Sequence, residues 1–393
     1  MDLRPHIKPF LVSSVKDIWP ASIKQRCLVI ITIIFCIGTI FSAYAGYIAP
    51  THTFFGTIGP LAVMTFPTLL YLLFVGLIIS IVCWRRGARI LLITLLIIIP
   101  SAIKVVPLHV TPYLADRSKG EKTFSLLTYN VMSFIDFEGP FKDGVPNRTV
   151  QYILDSNPDI VCLQETLRAA YVNTLNITMS QRNLRDLRYP YQMHWHDGGI
   201  AMYSKYPIKE IVIGDRPDMP YPHYKAARVY LYDDSITIVN CHLQSIGLDI
   251  SDRNVYHDVT DGDINFKEID AAGSKILNKL TDAFIERAKQ AEYIRSVLDK
   301  IPGNVIVCGD FNDVPLSFAT RQVQGDDMHD AFAVTSLGPR ITFHDNRFYF
   351  RIDHVFYRGR MGAYRSMSPN IPSSDHYPLL VKFKMNPDKH KII

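Results

Sequence analysis

From Cys27 to Val110 the chain carries only four charged side chains, Arg85, Arg86, Arg89 and Lys104. This stretch divides into three apolar runs, 27–48, 61–84 and 90–110. Each is about 20 residues or longer, the length that crosses the ~30 Å hydrocarbon core of a bilayer. The reading is three transmembrane helices. Buried core helices are the alternative, and three such runs so close together weigh against it. Lys16, Lys24 and Arg26 precede the first run, and the three arginines separate the second from the third. The positive-inside rule then puts the N-terminus in the cytoplasm. Everything after the third run is expected on the periplasmic side of a bacterial inner membrane. Ala43-Tyr44-Ala45 resembles a signal-peptidase site, but the long basic region ahead of it favours an uncleaved anchor. The expected organisation is a cytoplasmic segment 1–26, a membrane domain 27–110, a linker 111–121, a folded domain 122–386 and a tail 387–393.

Charge splits along the same line. Residues 1–119 hold 11 Lys/Arg and 3 Asp/Glu, net +8; the remainder holds 31 and 34, net −3. The folded part therefore lacks the strong positive field of a dedicated duplex-DNA binder. Its three cysteines, Cys162, Cys241 and Cys308, each sit inside an apolar run with no zinc-type spacing, and read as buried small hydrophobes.

Beyond the linker the pattern changes to short β-type runs. The alternation predicts strands over Phe124–Val131, Asp159–Gln164, Ile200–Ser204, Ala227–Tyr232, Ile236–His242, Asn304–Asp310, Arg351–Tyr357 and Pro378–Phe383. Helices are predicted over Arg148–Ser156 and Ala283–Lys300, the second from an apolar stripe that includes Phe284, Ile294 and Leu298. Residues 245–275 read as a polar surface excursion. Many strands with few helices suggest one domain built on packed sheets.

The strand ends share a feature. LLTYNV finishes at Asn130, DIVCLQET at Gln164 and Glu165, TIVNCHLQS at Asn240 and His242, and VIVCGDFND at Asp310 and Asn312. RIDHVFY opens with Asp353, and SSDHYP supplies Asp375 and His376 ahead of the last strand. Residues two apart on a strand point the same way, so Asp310 with Asn312, and Asn240 with His242, can reach a common ligand. Carboxylate and amide oxygens are hard ligands suited to Mg²⁺ or Mn²⁺. Such a set suits metal-assisted hydrolysis of a phosphoester, which needs charge neutralised, a water aimed at phosphorus and a leaving oxygen assisted. Glu165 and Asn130 can hold the metal, with Asp375 a further candidate ligand. Asp310 can orient and activate water, and His376 and His242 can donate to phosphoryl oxygens or the leaving group. Asp353 or Asp375 can fix an imidazole tautomer. Asn240 and Arg228 are candidate substrate contacts, with an ordinary strand-edge arginine the alternative for Arg228.

This order of motifs, Asn130, Gln164-Glu165, Gly199 to Ser204, His242, Gly309-Asp310-Phe311-Asn312, Ile352-Asp353 and Ser374-Asp375-His376, resembles the endonuclease/exonuclease/phosphatase superfamily. The resemblance covers about residues 122–386. It implies a four-layer α-β-β-α sandwich of the DNase I type with its site at one end of two sheets, and Mg²⁺ dependence. It further implies Glu165 as the main metal ligand, Asp310 on the nucleophilic water, Asn312 and His376 on the phosphate, and Asp353 behind His376. Arg287 and Gln290 fit the superfamily as supports of the strand ends. Met132 departs from it, since abasic-site endonucleases carry an acidic residue there.

The leading expectation is a membrane-anchored, Mg²⁺-dependent phosphoesterase. Tethering favours a phospholipid or sphingolipid headgroup, and the lipid bilayer and the phosphoester substrate are the expected partners, with no obligate protein partner evident. A nuclease acting on external DNA or RNA is the second reading, and a non-catalytic anchored binding protein the third. His354 should face away from Asp353 and reads as structural. His194 and His196 read as a solvated loop, and Asn147 and Asn176 open glycosylation sequons.

Overall fold

The computed structural model describes residues 23–65, 122–135, 147–166, 184, 188–195, 199–212, 223–247, 266–336, 340–345 and 348–385. The chain divides into two compact units, Met1–Pro107 with Leu316–Phe318, and Leu108–Pro315 with Ala319–Ile393.

In the first unit a helix spans Ile23–Tyr44, a 3-10 turn covers Ala45–Tyr47, and residues 54–65 are helical. Among the described residues no helix is long and apolar enough to cross a membrane. This overturns the expected three-span membrane domain, and with it the inner-membrane anchoring and periplasmic placement. The physical reason lies in the helix boundaries. Lys24 and Arg26 fall in the first turn of the helix, which stops at Tyr44. Its uncharged part, Cys27 to Tyr44, rises about 27 Å at 1.5 Å per residue, at the short end of what ~30 Å of hydrocarbon requires. Thr39 and Ser42 are buried on one side of it, and Thr39 Oγ1 donates to the carbonyl of Phe35. The expected runs from residue 66 to 84 and over 90–110, the linker, the tail 387–393, most of the 245–275 excursion, His196 and the Asn176 sequon lie outside the described residues.

The second unit is built on strands β1 (Thr123–Asn130), β2 (Ile160–Gln164), β3 (Tyr191–Trp195), β4 (Ile200–Ser204), β5 (Ile208–Ile211), β6 (Tyr224–Leu231) and β7 (Asp234–His242). They are followed by β8 (Asn304–Asp310), β9 (His329–Asp330), β10 (Phe343–Asp345), β11 (Phe348–Phe350), β12 (Asp353–Arg358), β13 (Met361–Met367) and β14 (Leu379–Met385). One six-stranded sheet has the order β13-β14-β1-β2-β4-β3, the other β5-β6-β7-β8-β12-β9, and β10-β11 form a separate hairpin. Each six-stranded sheet has one parallel pair near its centre, β1 with β2 and β7 with β8.

Side-chain alternation divides every central strand between two cores. Leu126, Cys162, Ile238, Ile306, Cys308 and Val381 pack together between the sheets. Their neighbours Leu127, Val161 and Leu163 face outward and pack with Val150, Ile153 and Leu154 of the helix Arg148–Ser156. On the other outer face Val239, Cys241, Val305 and Val307 pack with Ala291, Ile294, Val297 and Leu298 of the helix Phe266–Leu298. The layers are therefore helix, sheet, sheet and helix, and each fully buried aliphatic contributes about 1.5–3 kcal/mol of transfer free energy. All three cysteines of this unit are free and buried, as small hydrophobes would be.

Asn147 shows why the first of these helices begins where it does. Its side chain accepts from Val150 N at 2.9 Å and donates to Phe134 O at 2.9 Å. It is buried as an N-cap, a role worth ~1 kcal/mol and one that leaves no room for a glycan. Asn157 ends the helix at φ 47°.

Gly309 controls the last step of β8. It sits at φ +130°, and a Cβ there would lie 2.0 Å from the carbonyl oxygen of Cys241 on β7. Only glycine permits the two backbones to approach this closely just before Asp310. Gly309→Ala is expected to lower stability by about 2 kcal/mol or more, read as a lower urea midpoint. An unchanged midpoint would contradict this account of the strand.

Candidate active site

Parallel pairing brings the carboxyl ends of β1, β2, β7 and β8 to one rim. Asn130 is opposite Gln164 in the first sheet, and His242 is opposite Asp310 in the second. The antiparallel strand β12 begins at the same rim, with Asp353 opposite Asp310. A strand end is where a polar side chain can leave the core, and here five strands do so together.

Asp310 is the centre of the arrangement and is 1% exposed. Its Oδ1 accepts from Asn312 N at 2.8 Å, and its Oδ2 accepts from Asn130 Nδ2 at 3.0 Å across the gap between sheets. His376 Nε2 lies 3.6 Å from the same Oδ2, and His242 Nε2 lies 3.9 Å from it. His242 Nε2 is also 3.6 Å from Glu165 Oε1. Glu165 turns off β2 at φ 50°, which swings its carboxylate to the rim. Asn312, at φ 51°, donates from Nδ2 to Leu243 O at 3.0 Å.

His376 is fixed from behind. Its Nδ1 bonds Asp353 Oδ2 at 2.9 Å, so the ring turns Nε2 toward Asp310. Burial disfavours the imidazolium, but the carboxylates of Asp353, Asp310 and Asp375 outweigh it and raise the proton affinity well above the ordinary range. Burial pushes Asp353 up to about 6, against the pull of His376. The proton of the pair therefore belongs on His376, which makes it a donor. The distance also decides the carboxylate behind it. Asp353 makes that bond, whereas Asp375 Oδ1 lies 3.3 Å from Ser374 Oγ and its carbonyl accepts from His344 N.

The donor set fits a hard divalent cation. Ligand-type atoms of Asp310, Asp353 and His376 lie within 4.8 Å of one another and could bind a metal. In this group His376 Nδ1 is engaged with Asp353, while Asn130 Oδ1 accepts from Met132 N at 3.1 Å and Glu165 Oε1 stands 3.6 Å from His242 Nε2. Asp353 Oδ1 and His242 Nε2 are both buried without a hydrogen-bond partner, as polar atoms facing a ligand would be.

A family model for the Endonuclease/Exonuclease/phosphatase family matches residues 127–376, more than half of the chain's 393. The chain belongs to this family. Its members are enzymes that hydrolyse phosphoester bonds. A 106-residue stretch is 34% identical to a UPF0294 protein of Vibrio campbellii, covering 26% of this chain and 35% of that one. A UPF0294 protein of Vibrio vulnificus is 32% identical over 107 residues, 26% and 36% of the two chains. The match thus spans about a third of these curated relatives. Among solved structures, TDP2 of Caenorhabditis elegans is 17% identical, with a TM-score of 0.43 over 67% of this chain and 98% of that one. Sphingomyelinase C of Streptomyces griseocarneus is 18% identical, with a TM-score of 0.40 over 66% and 99%.

Not every candidate residue of this family member reaches the rim. Asn240 is fully buried, donating to Leu163 O and Ala201 O and accepting from Gln164 Nε2 at 2.6 Å. It bolts one sheet to the other beneath the site. Arg228 pairs with Thr237, five residues back from His242, which puts it roughly 17 Å from the rim at ~3.4 Å per residue. His194 lies on β3, with its ring edge-on to Tyr203. Arg287 is buried in the long helix, with Nε 3.3 Å from Asp313 Oδ2 and a bond to Gln244 O, while Gln290 accepts from Gln244 N. Both buttress the segments that follow β7 and β8. Thr342 was not singled out from sequence. Its hydroxyl accepts from the amides of Ile352 and Asp353, both at 3.0 Å, and so starts β12 at the rim.

His354 faces the opposite side of β12, as alternation requires. Its Nε2 bonds Asp313 O at 2.9 Å, and its Nδ1 meets Arg351 Nη2 at 3.4 Å. A carbonyl only accepts and a guanidinium only donates, so the neutral ring with its proton on Nε2 satisfies both. Burial, then the charge of Arg351, lowers its pKa from 6.5 to about 4. The fold therefore binds the neutral ring. The stability this contributes is complete above pH 6.5 and is lost as the pH falls toward 4. His354→Gln should flatten the decline of Tm between those two values. A variant curve parallel to that of the parent would refute the assignment.

Proposed function

We propose that this protein is a divalent-metal-dependent phosphoesterase, using Mg²⁺ or Mn²⁺ and water to cleave a phosphodiester or phosphomonoester. The observation that carries the reading is the meeting of Asp310 with Asn130, His376 and His242 at one rim, with Asp353 behind His376. Glu165 and Asn130 would hold the cation, which when bound neutralises phosphoryl charge and acidifies a water. Asp310, its Oδ1 fixed by the Asn312 amide, accepts the proton of the attacking water through Oδ2. His376 presents a protonated Nε2 to a phosphoryl oxygen, with its tautomer held by Asp353. His242 borders the same opening beside Glu165, where it can donate to a phosphoryl or leaving oxygen. Asn312 adds an amide oriented by Leu243 O.

Tethering no longer favours a headgroup substrate. A lipid-type phosphodiester headgroup still suits the net charge of −3 over residues 120–393 better than duplex DNA does.

The purified full chain should hydrolyse bis(p-nitrophenyl) phosphate with Mg²⁺ and lose that activity in EDTA, with recovery on adding Mg²⁺ or Mn²⁺. Asp310→Asn and His376→Ala should each lower kcat by roughly 10²–10⁴-fold while the protein remains folded. A metal-loaded, folded parent that cleaves neither this ester, a choline phosphodiester nor plasmid DNA would overturn the proposal, as would a His376→Ala protein with the parent's rate.

A further inference from the structure

Behind the loop that carries His376 lie three buried hydroxyls. Ser373 Oγ is 2.8 Å from Thr149 Oγ1 and 3.1 Å from Tyr129 Oη, and all three residues are fully buried. Tyr129 comes from β1, one residue before Asn130, and Thr149 from the first turn of the helix Arg148–Ser156. The next residue of the loop continues the connection. Ser374 Oγ donates to Asn130 O at 2.8 Å and accepts from His376 N at 3.2 Å. From the other side His344 N donates to Asp375 O, and Tyr377 N donates to Thr342 O.

We propose that the Tyr129–Ser373–Thr149 hydroxyl triad is a positioning device for His376, setting how far its Nε2 stands from Asp310. The inference rests on the phosphoesterase reading for its catalytic consequence, but its geometry is independent of that reading. Ser373 is the one loop residue bonded to both β1 and the outer helix layer through side chains. The triad hydroxyls bond one another, and Tyr129 packs in the apolar cluster that includes Val150, Ile153, Leu163 and Leu380. Ordinary packing would be served as well by alanine, valine and phenylalanine at these three positions. Hydroxyls add direction, since a buried O–H that loses its partner is left unsatisfied. The loop therefore has one low-energy placement, and His376 inherits it three residues on.

The test uses Tyr129→Phe, Ser373→Ala, Thr149→Val and Thr149→Ser in the full chain. Hydrogen exchange read by mass spectrometry follows peptides over 373–378 and over 148–156. The first three variants should speed exchange over 373–378 while the helix keeps its protection, and Thr149→Ser should behave as the parent. With Mg²⁺ and bis(p-nitrophenyl) phosphate, the first three should lower kcat by up to about 100-fold with KM little changed, as sub-ångström to ångström misplacement does. Exchange that rises equally in the helix and the loop would mean a purely structural triad. Parental exchange and parental kcat in Tyr129→Phe and Ser373→Ala would overturn the proposal. If the parent itself is inactive, the phosphoesterase reading fails, and the loop-selective exchange pattern still decides the positioning claim.

Discussion

Asp310 is a carboxylate held almost wholly out of water, and the architecture around it depends on how that charge is compensated. Burying an unpaired carboxylate costs several kcal/mol, so the charge survives only with donors in place. The Asn312 amide comes from the turn after β8, Asn130 from the opposite sheet and His376 from the loop before β14. Each contributor belongs to a different part of the fold. The compensation therefore exists only when both sheets and the loop are in register, which couples the site to folding of the whole sandwich.

The seam between the sheets shows the same logic one layer deeper. Gln164 and Asn240 are fully buried, face each other from β2 and β7, and bond at 2.6 Å. An apolar pair would pack there without fixing a lateral position, because hydrophobic contact is non-directional. The amide pair specifies one offset of the sheets, and Asn240 adds bonds to the carbonyls of Leu163 and Ala201. Glu165 follows Gln164 directly, so the offset that the amides define also sets the distance from Glu165 to His242 and Asp310.

The central strands were legible because their side chains obey a period of two between apolar cores, and β4, β8 and the helix Arg148–Ser156 fall on their expected bounds. The strands missed, β3, β5, β9, β10, β11 and β13, are edge, short or hairpin elements, where one side is exposed and the alternation fades. The long helix begins at Phe266, well before the expected Ala283, because Lys267, Glu268, Asp270, Gly273, Ser274 and Lys275 made its early turns read as part of the polar 245–275 excursion. At the site, polar strand ends could be read one at a time, and the structure brings Asn130, Glu165, His242, Asp310, Asp353 and His376 together. What local pattern could not show was which polar residue faces the other sheet. Asn240 read as a substrate contact and is a bolt, and the choice between Asp353 and Asp375 behind His376 needed a distance. The apolar N-terminal run was read from its composition, its length and the basic residues that flank it. Composition says that a segment avoids water, whereas the boundaries of the helix at Ile23 and Tyr44 decide how far it reaches.

The unsatisfied atoms give a separate argument that the rim is built for a ligand. Native interiors leave few buried polar atoms without partners, and each one calls for a reason. Asp353 Oδ1 and His242 Nε2 are such atoms, as are Tyr203 Oη and others away from the rim; these two lie beside Asp310. Thr342 stands beside Asp353, its hydroxyl accepting from the Asp353 amide at 3.0 Å. The same low dielectric that makes the bare atoms costly makes their interaction with a phosphoryl group strong.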